Sequence, residues 1–291
     1  MKRFLEIGGV QFCLDAERPI RQTVDLVPFY VGKPAFPDVT VHITWDWLHA
    51  ARPKTPPVGQ DLIQIYYREQ NEKFCEMAGG DRGALACTWY TADCREMVCA
   101  VNEINCQVPQ DTEGQLLRML PMREILLHFG TLFLHAAQIA YQGRGILFTA
   151  PSGTGKSTQA KLWRQYQGAE IICNDRTLVR NVDGVWRTYG YPLDGSEPVK
   201  SSAVHRLGAV VMLEQGGENT VIRLRPSKAL PRLMEQLVLD CWNSDARTAA
   251  LELLIKLMEQ IPVYLLCCTP DEQAVETLKE QLMEDEVIPR G

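Results

Sequence analysis

The sequence predicts an α+β chain in two parts: a β-rich domain over residues 1–112 and a mixed α/β domain over residues 113–291. Three observations carry that division. Residues 1–110 hold several short runs of alternating apolar and polar residues bounded by glycine and proline, the pattern of strands and turns. The composition changes near 110–120. From Gly145 onward an apolar run, a glycine-containing loop and an amphipathic run follow one another as strand, loop and helix. With 291 residues and 46% hydrophobic content, the chain can bury one large core or two modest ones.

In the first part, Phe4, Ile7, Val10, Phe12 and Leu14 place a hairpin around Gly8-Gly9. Residues 39–45 alternate as a strand and residues 62–67 as a second. Residues 85–90 and 97–101 are two more, spaced as in a meander. Pro53 and Pro56-Pro57 mark a loop. Trp45, Trp47 and Trp89 either line a binding groove or form core and cross-strand contacts, and aromatic residues within strands favour the second.

In the second part, residues 111–131 read as a linker and then a helix. Pro121 suits the helix's first turn, Ile125, Leu126 and Phe129 share a face, and Gly130 ends it. Residues 131–141 read as a buried strand that turns at 142–145 into an antiparallel neighbour leading to the glycine loop. After the loop's helix, residues 169–175 form an apolar strand ending in Asp175. Residues 177–189 are a hairpin turning at Asp183-Gly184. The next loop offers Asp194, Ser196 and Glu197 as substrate-facing groups or as surface decoration. Residues 207–213 and 221–225 read as a pair of strands with Gly216-Gly217 between them. Helices follow at 227–240 and 245–260, then a buried strand at 263–268 and an acidic amphipathic helix at 271–284 whose charge reads as a solvated face.

The loop Ala150-Pro-Ser-Gly-Thr-Gly-Lys-Ser-Thr158 fits the P-loop pattern, with Ala150 in place of the pattern's first glycine. Its backbone N–H groups and the following helix N-terminus make a nest for an anion. Gly153 and Gly155 let the backbone approach phosphate oxygens, Lys156 reaches the β- and γ-phosphates, and the Ser157 hydroxyl serves Mg²⁺. The predicted ligand is a nucleotide with Mg²⁺, held by Pro151, Ser152, Gly153, Thr154, Gly155, Lys156, Ser157 and Thr158, with ATP, GTP and pyrophosphate open as donors. Asp175, at the end of an apolar strand, is the candidate metal-binding carboxylate beside Ser157. The competing reading is a glycine-rich turn with a solvated lysine and a turn-starting aspartate.

Composition narrows the classes. The net charge is −6 with no long basic run, which speaks against a nucleic-acid partner. No stretch approaches about 18 consecutive apolar residues, so no membrane span is expected. Residues 1–8 are charged at the start without an apolar core, unlike a signal peptide. The ten cysteines include no Cys-x-x-Cys; they read as reduced, half-buried residues of a cytoplasmic protein rather than as a metal site or disulfides.

The run Leu134-His-Ala-Ala-Gln-Ile-Ala-Tyr-Gln-Gly-Arg-Gly-Ile-Leu-Phe-Thr-Ala-Pro-Ser-Gly-Thr-Gly-Lys-Ser157 resembles the HPr kinase/phosphorylase family, and Glu170-Ile-Ile-Cys-Asn-Asp-Arg-Thr177 looks like that family's second motif. The resemblance covers about residues 131–214 and, more loosely, the C-terminus. The front half is more similar to divergent relatives often found with peptide-modification genes. The resemblance implies a phosphoenolpyruvate carboxykinase-like P-loop core with a twisted mixed sheet. It also implies an ATP-dependent kinase acting on a hydroxyl of a peptide, protein or small molecule, with the assembly state open. Carried over by position, Gly153, Gly155, Lys156 and Ser157 hold phosphates and Mg²⁺, His135 matches the active-site histidine, and Asp175 matches the second of two adjacent aspartates. The first aspartate, the relatives' general base, is Asn174 here, and an amide accepts no proton at neutral pH. Asp175, His135 or Asp194 then takes the proton, or the chain is a nucleotide-dependent binding and switch protein without fast transfer. A carboxykinase would need a further metal constellation and an arginine-rich carboxylate site, and neither is evident.

Overall fold

A computed structural model describes residues 1–47, 53–61, 63–69, 72–106, 109–193, 201–240 and 242–290. They form two compact units, Met1–Phe129 with Leu239–Arg247, and Gly130–Val238 with Thr248–Gly291. The division falls at Phe129/Gly130 rather than at 112/113. The reason is packing: helices α1 (Glu113–Arg118) and α2 (Met122–His128) bury Leu116, Leu117, Ile125 and Leu126 in the first unit. Tyr90 and Lys73 both bond the Glu124 carboxylate, and Gln64 donates to the Leu120 carbonyl. Thr112 caps α1 with a reciprocal Gln115 bond, and Pro121 stands at the N-cap of α2, one position before its first turn.

The first unit is one mixed sheet. Strands β1 (Lys2–Ile7) and β2 (Val10–Ala16) form the hairpin at Gly8-Gly9, both at positive φ. Strands β3 (Val39–Thr44), β4 (Gly59–Gln60), β5 (Gln64–Glu69), β6 (Glu72–Ala78), β7 (Ala84–Thr91) and β8 (Glu96–Val101) complete the order β1-β2-β3-β8-β7-β6-β5-β4. Pairings β2–β3 and β3–β8 are parallel, and β4 to β8 run as an antiparallel meander. The sequence reading missed β6, whose residues Glu-Lys-Phe-Cys-Glu-Met-Ala do not alternate cleanly. Trp89 lies directly opposite Phe74 and packs edge-on to it at 5.0 Å, a cross-strand pair, while Trp89 also borders an open cavity of about 650 Å³. The segment Leu239–Arg247 joins this unit through Asp240, 3.1 Å from Arg123 Nε, and through Trp242, whose ring packs at a tilt against Tyr66 at 4.9 Å.

The second unit begins with β9 (Thr131–Tyr141) and β10 (Arg144–Thr149), antiparallel as expected, joined by Gln142-Gly143 at positive φ. Helix α3 (Lys156–Gln167) follows the loop. Then come β11 (Glu170–Cys173), the hairpin β12 (Arg176–Val182) and β13 (Val185–Gly190) turning at Asp183-Gly184, and β14 (His205–Gln215). Strand β15 (Thr220–Arg223), helices α4 (Pro226–Met234) and α5 (Ser244–Met258), strand β16 (Val263–Cys268) and helix α6 (Glu272–Glu284) complete it, the Arg247/Thr248 boundary falling inside α5. The sheet order is β10-β9-β12-β13-β14-β16-β15, with β11 also on β9. Parallel pairing of β14 with β10 closes the first five strands into a ring. The architecture is therefore mixed α/β with mixed sheets.

Two expected elements differ. Strands β14 and β15 are not neighbours, because β16 lies between them, parallel to the first and antiparallel to the second. Helix α4 stops at Met234 rather than near 240, since the following residues leave the helix to bond β9: Val238 donates to Phe133 and Leu237 bridges Leu134.

Helix α3 is set by one apolar face. Ala160 and Trp163 enter a core with Phe148 of β10, Ile139 of β9 and Val275, Leu278 and Leu282 of α6. Gly168, at φ 66°, ends the helix with Schellman-type bonds to Arg164 and Trp163. All nine cysteines among the described residues are free thiols. Burial pushes Cys94 up to about 12 and Cys99 up to about 11, so they are inert fillers. No helix among the described residues is long and apolar enough to cross a membrane.

Trp163 is fully buried at the centre of this packing. Trp163→Ala is expected to destabilise the second unit by about 3–5 kcal/mol in urea unfolding; a loss under about 1 kcal/mol would contradict the packing described.

Candidate functional site

Strand β10 ends at Thr149, whose hydroxyl donates to the His135 carbonyl on β9. Ala150 is buried in the core with an ordinary negative φ, so a methyl group replaces glycine here without strain. The chain then turns at Pro151, where Thr154 bonds the Pro151 carbonyl through both its N–H and its hydroxyl. Gly153 (φ 82°) and Gly155 (φ 117°) adopt left-handed backbone that other residues rarely reach. No atom stands within 4 Å of where a Cβ would sit at either one, so conformation rather than crowding demands glycine.

Gly155 is the N-cap of α3. The helix's first N–H groups lack intrahelical acceptors, and they adjoin the exposed residues 151–153. Lys156 is buried, and its Nζ donates to the carbonyls of Ala150 (2.9 Å) and Pro151 (3.2 Å), folding the ammonium back over the loop's first residues. Burial lowers its pKa, and the Asp175 carboxylate opposes that shift. The Ser157 hydroxyl donates to the Asn174 carbonyl at 3.3 Å, tying the start of α3 to the end of β11.

Asp175 follows β11 and stands next to β12, which pairs with β9 so that Arg176 lies opposite His135. His135 Nε2 is 3.1 Å from Asp175 Oδ1, and Arg176 Nε is 3.5 Å from Asp175 Oδ2. His135 is half-buried; its backbone N–H donates to the Gln236 carbonyl beyond α4. Burial holds the imidazole below its ordinary 6.5, with Lys156 adding to that effect and Asp175 acting against it. His135 is therefore neutral at neutral pH. Its Nε2–H donating to Asp175 leaves the Nδ1 lone pair as a proton acceptor.

A cavity of about 660 Å³ is lined by residues 149–154, by Glu214 and Gln215 at the end of β14, and by Arg232, Glu235 and Gln236. The structure thus gathers the loop 151–158, Asn174, Asp175 and His135 in one region. Asp194, Ser196 and Glu197 lie outside the described residues. Sequence reasoning missed Arg176, although it directly follows Asp175, and Arg232 and Gln236, which carry no local pattern. Among the described residues no group of three or more His, Cys, Asp or Glu can hold a metal by itself. Hydroxyl and carboxylate oxygens of Ser157 and Asp175 are nonetheless the hard donors that suit Mg²⁺ shared with phosphate.

Because the folded protein depresses the His135 pKa, the unfolded chain takes up this proton first. The group's contribution to stability is present above pH 6.5 and is lost as the pH falls through the folded value. A magnetic-resonance titration of His135 is expected to give a midpoint below 6.5, moved lower still in Asp175→Asn; a midpoint above 6.5 would contradict the environment described.

No curated protein matches the chain. Solved structures with some likeness include the HPr(Ser) kinase/phosphatase from Coxiella burnetii, 11% identical, covering 53% of this chain and 98% of that one at a TM-score of 0.33. A family model described as SynChlorMet cassette protein ScmC matches residues 104–283, more than half of the chain, and the chain belongs to that family.

Proposed function

We propose that the second unit is an ATP-dependent kinase that transfers a phosphoryl group to a hydroxyl of a peptide, protein or small molecule in the cytoplasm, on a phosphoenolpyruvate carboxykinase-like P-loop core distantly related to HPr kinase. The observation that carries this reading is the passage from β10 to α3. An apolar strand, two left-handed glycines and a buried lysine at a helix start are the parts a triphosphate cradle needs. When bound, ATP and Mg²⁺ supply the phosphoryl group and most of the charge neutralisation.

The chain's own groups do the rest. Backbone N–H groups of residues 152, 153, 155 and 156 would hold and orient the phosphates, while that of Thr154 keeps its bond to the Pro151 carbonyl. Lys156 exchanges its two loop carbonyls for phosphate oxygens. Ser157 and Asp175 offer oxygens to the metal. His135, neutral and oriented by Asp175, accepts the acceptor hydroxyl's proton at Nδ1, which offsets Asn174 in place of a second carboxylate. Loose phosphoryl transfer needs little early basic help, so one such pair suffices. The β-rich first unit is the part available to recognise the substrate or partner.

Asn174 favours a second reading, a nucleotide-dependent binding and switch protein. The two separate by turnover. On the kinase reading, Asp175→Asn lowers ADP release by about 100-fold or more and weakens Mg²⁺-dependent ATP binding together. Asn174→Asp leaves release intact or raises it. Full activity in Asp175→Asn would remove both roles of that carboxylate, and a wild type that binds ATP without ever releasing ADP would establish the switch instead.

A further inference from the structure

The cavity beside the loop is also lined by residues to which the proposed chemistry assigns nothing. Arg232 is the one cation among the described residues that line it. Its Nη1 lies 2.8 Å from Glu214 Oε1, with the two side chains 43% and 48% exposed. An ion pair so exposed is weakly held, because water screens it and two long side chains must be ordered to form it. A phosphate offers the guanidinium a better partner, accepting two parallel charge-assisted bonds.

Position indicates which phosphate. The Lys156 ammonium rests on the carbonyls of Ala150 and Pro151, and these residues also line the cavity. A P-loop lysine serves the β- and γ-phosphates. The cavity therefore adjoins the end of the loop where a terminal phosphate belongs, and Arg232 lines the same cavity. The backbone of Arg232 is anchored: Ala229 and Leu233 of α4 are buried, and residues 236 and 238 bond β9 on either side of Leu134. Exchange of partners then falls to the Arg232 side chain, and Glu214, itself 48% exposed, is open to water.

We infer that Arg232 is an exchangeable ligand of the terminal phosphate. It leaves Glu214 to pair with the γ-phosphoryl group, so that the site discriminates nucleoside triphosphate from diphosphate. This rests on the nucleotide reading above. Calorimetry with the Mg²⁺ complexes of ADP and of the β,γ-imido analogue of ATP tests it on the full chain.

Arg232→Ala is expected to lose about tenfold or more for the triphosphate analogue and less than about threefold for ADP. Arg232→Lys should recover part of the loss. Glu214→Gln, which frees the guanidinium, should tighten the analogue several-fold, and this gain should vanish when combined with Arg232→Ala. Equal losses for both ligands, no loss for either, or a Glu214→Gln gain that persists without Arg232 would each overturn the inference. A wild type that binds both ligands equally would overturn it while leaving nucleotide binding standing. A wild type that binds neither would overturn the nucleotide reading and this inference with it.

Discussion

Two left-handed glycines turn the chain from β10 into α3, and the arrangement of the second unit depends on that turn. A strand that ends in the core and a helix whose Trp163 must return to the same core are joined by a short loop. Residues with a Cβ rarely take the backbone angles of Gly153 and Gly155, so another sequence here would displace α3 or strain the loop. The same turn leaves the helix's first N–H groups without intrahelical acceptors. It also brings Lys156 under the loop, where carbonyl oxygens satisfy its buried ammonium.

Strand β9 is the second organising element. Its first half pairs with β12 and its second half with β10 and β11, so one strand touches both the strand that leads into the glycine loop and the chain after Asp175. That placement puts His135 beside Asp175 and lets Lys156 and Asp175 act on the imidazole with opposite signs. The backbone on the other side is held by residues 236–238, which continue from α4. His135, held below its ordinary pKa by burial, and its Asp175 partner thus stand beside Asn174.

Much of this was legible in the sequence because it rests on local pattern. The extents of β9 and of the 176–190 hairpin follow from alternation and from the Asp183-Gly184 turn. The strand, loop and helix around Lys156 follow from glycine spacing and one apolar face. What was not legible depends on distant partners. Residues 235–238 look helical until β9 offers them hydrogen bonds. Helices α1 and α2 look like part of the second domain until Glu124 meets Tyr90 and Lys73. Asp240 and Trp242 gain their meaning only from Arg123 and Tyr66, more than a hundred residues earlier. Strand β16 enters between β14 and β15 because parallel pairing is chosen by the whole sheet and not by either strand. Arg232 sits in an ordinary amphipathic helix, and only the cavity distinguishes it.

The central claim is that the buried Lys156 and its glycine loop form a phosphate cradle. Titration calorimetry of Mg²⁺–ATP against the wild type and Lys156→Ala tests it most directly. Loss of a charge-assisted phosphate contact should weaken binding by about 1.5–3 kcal/mol. Equal affinity in the two proteins would contradict the account.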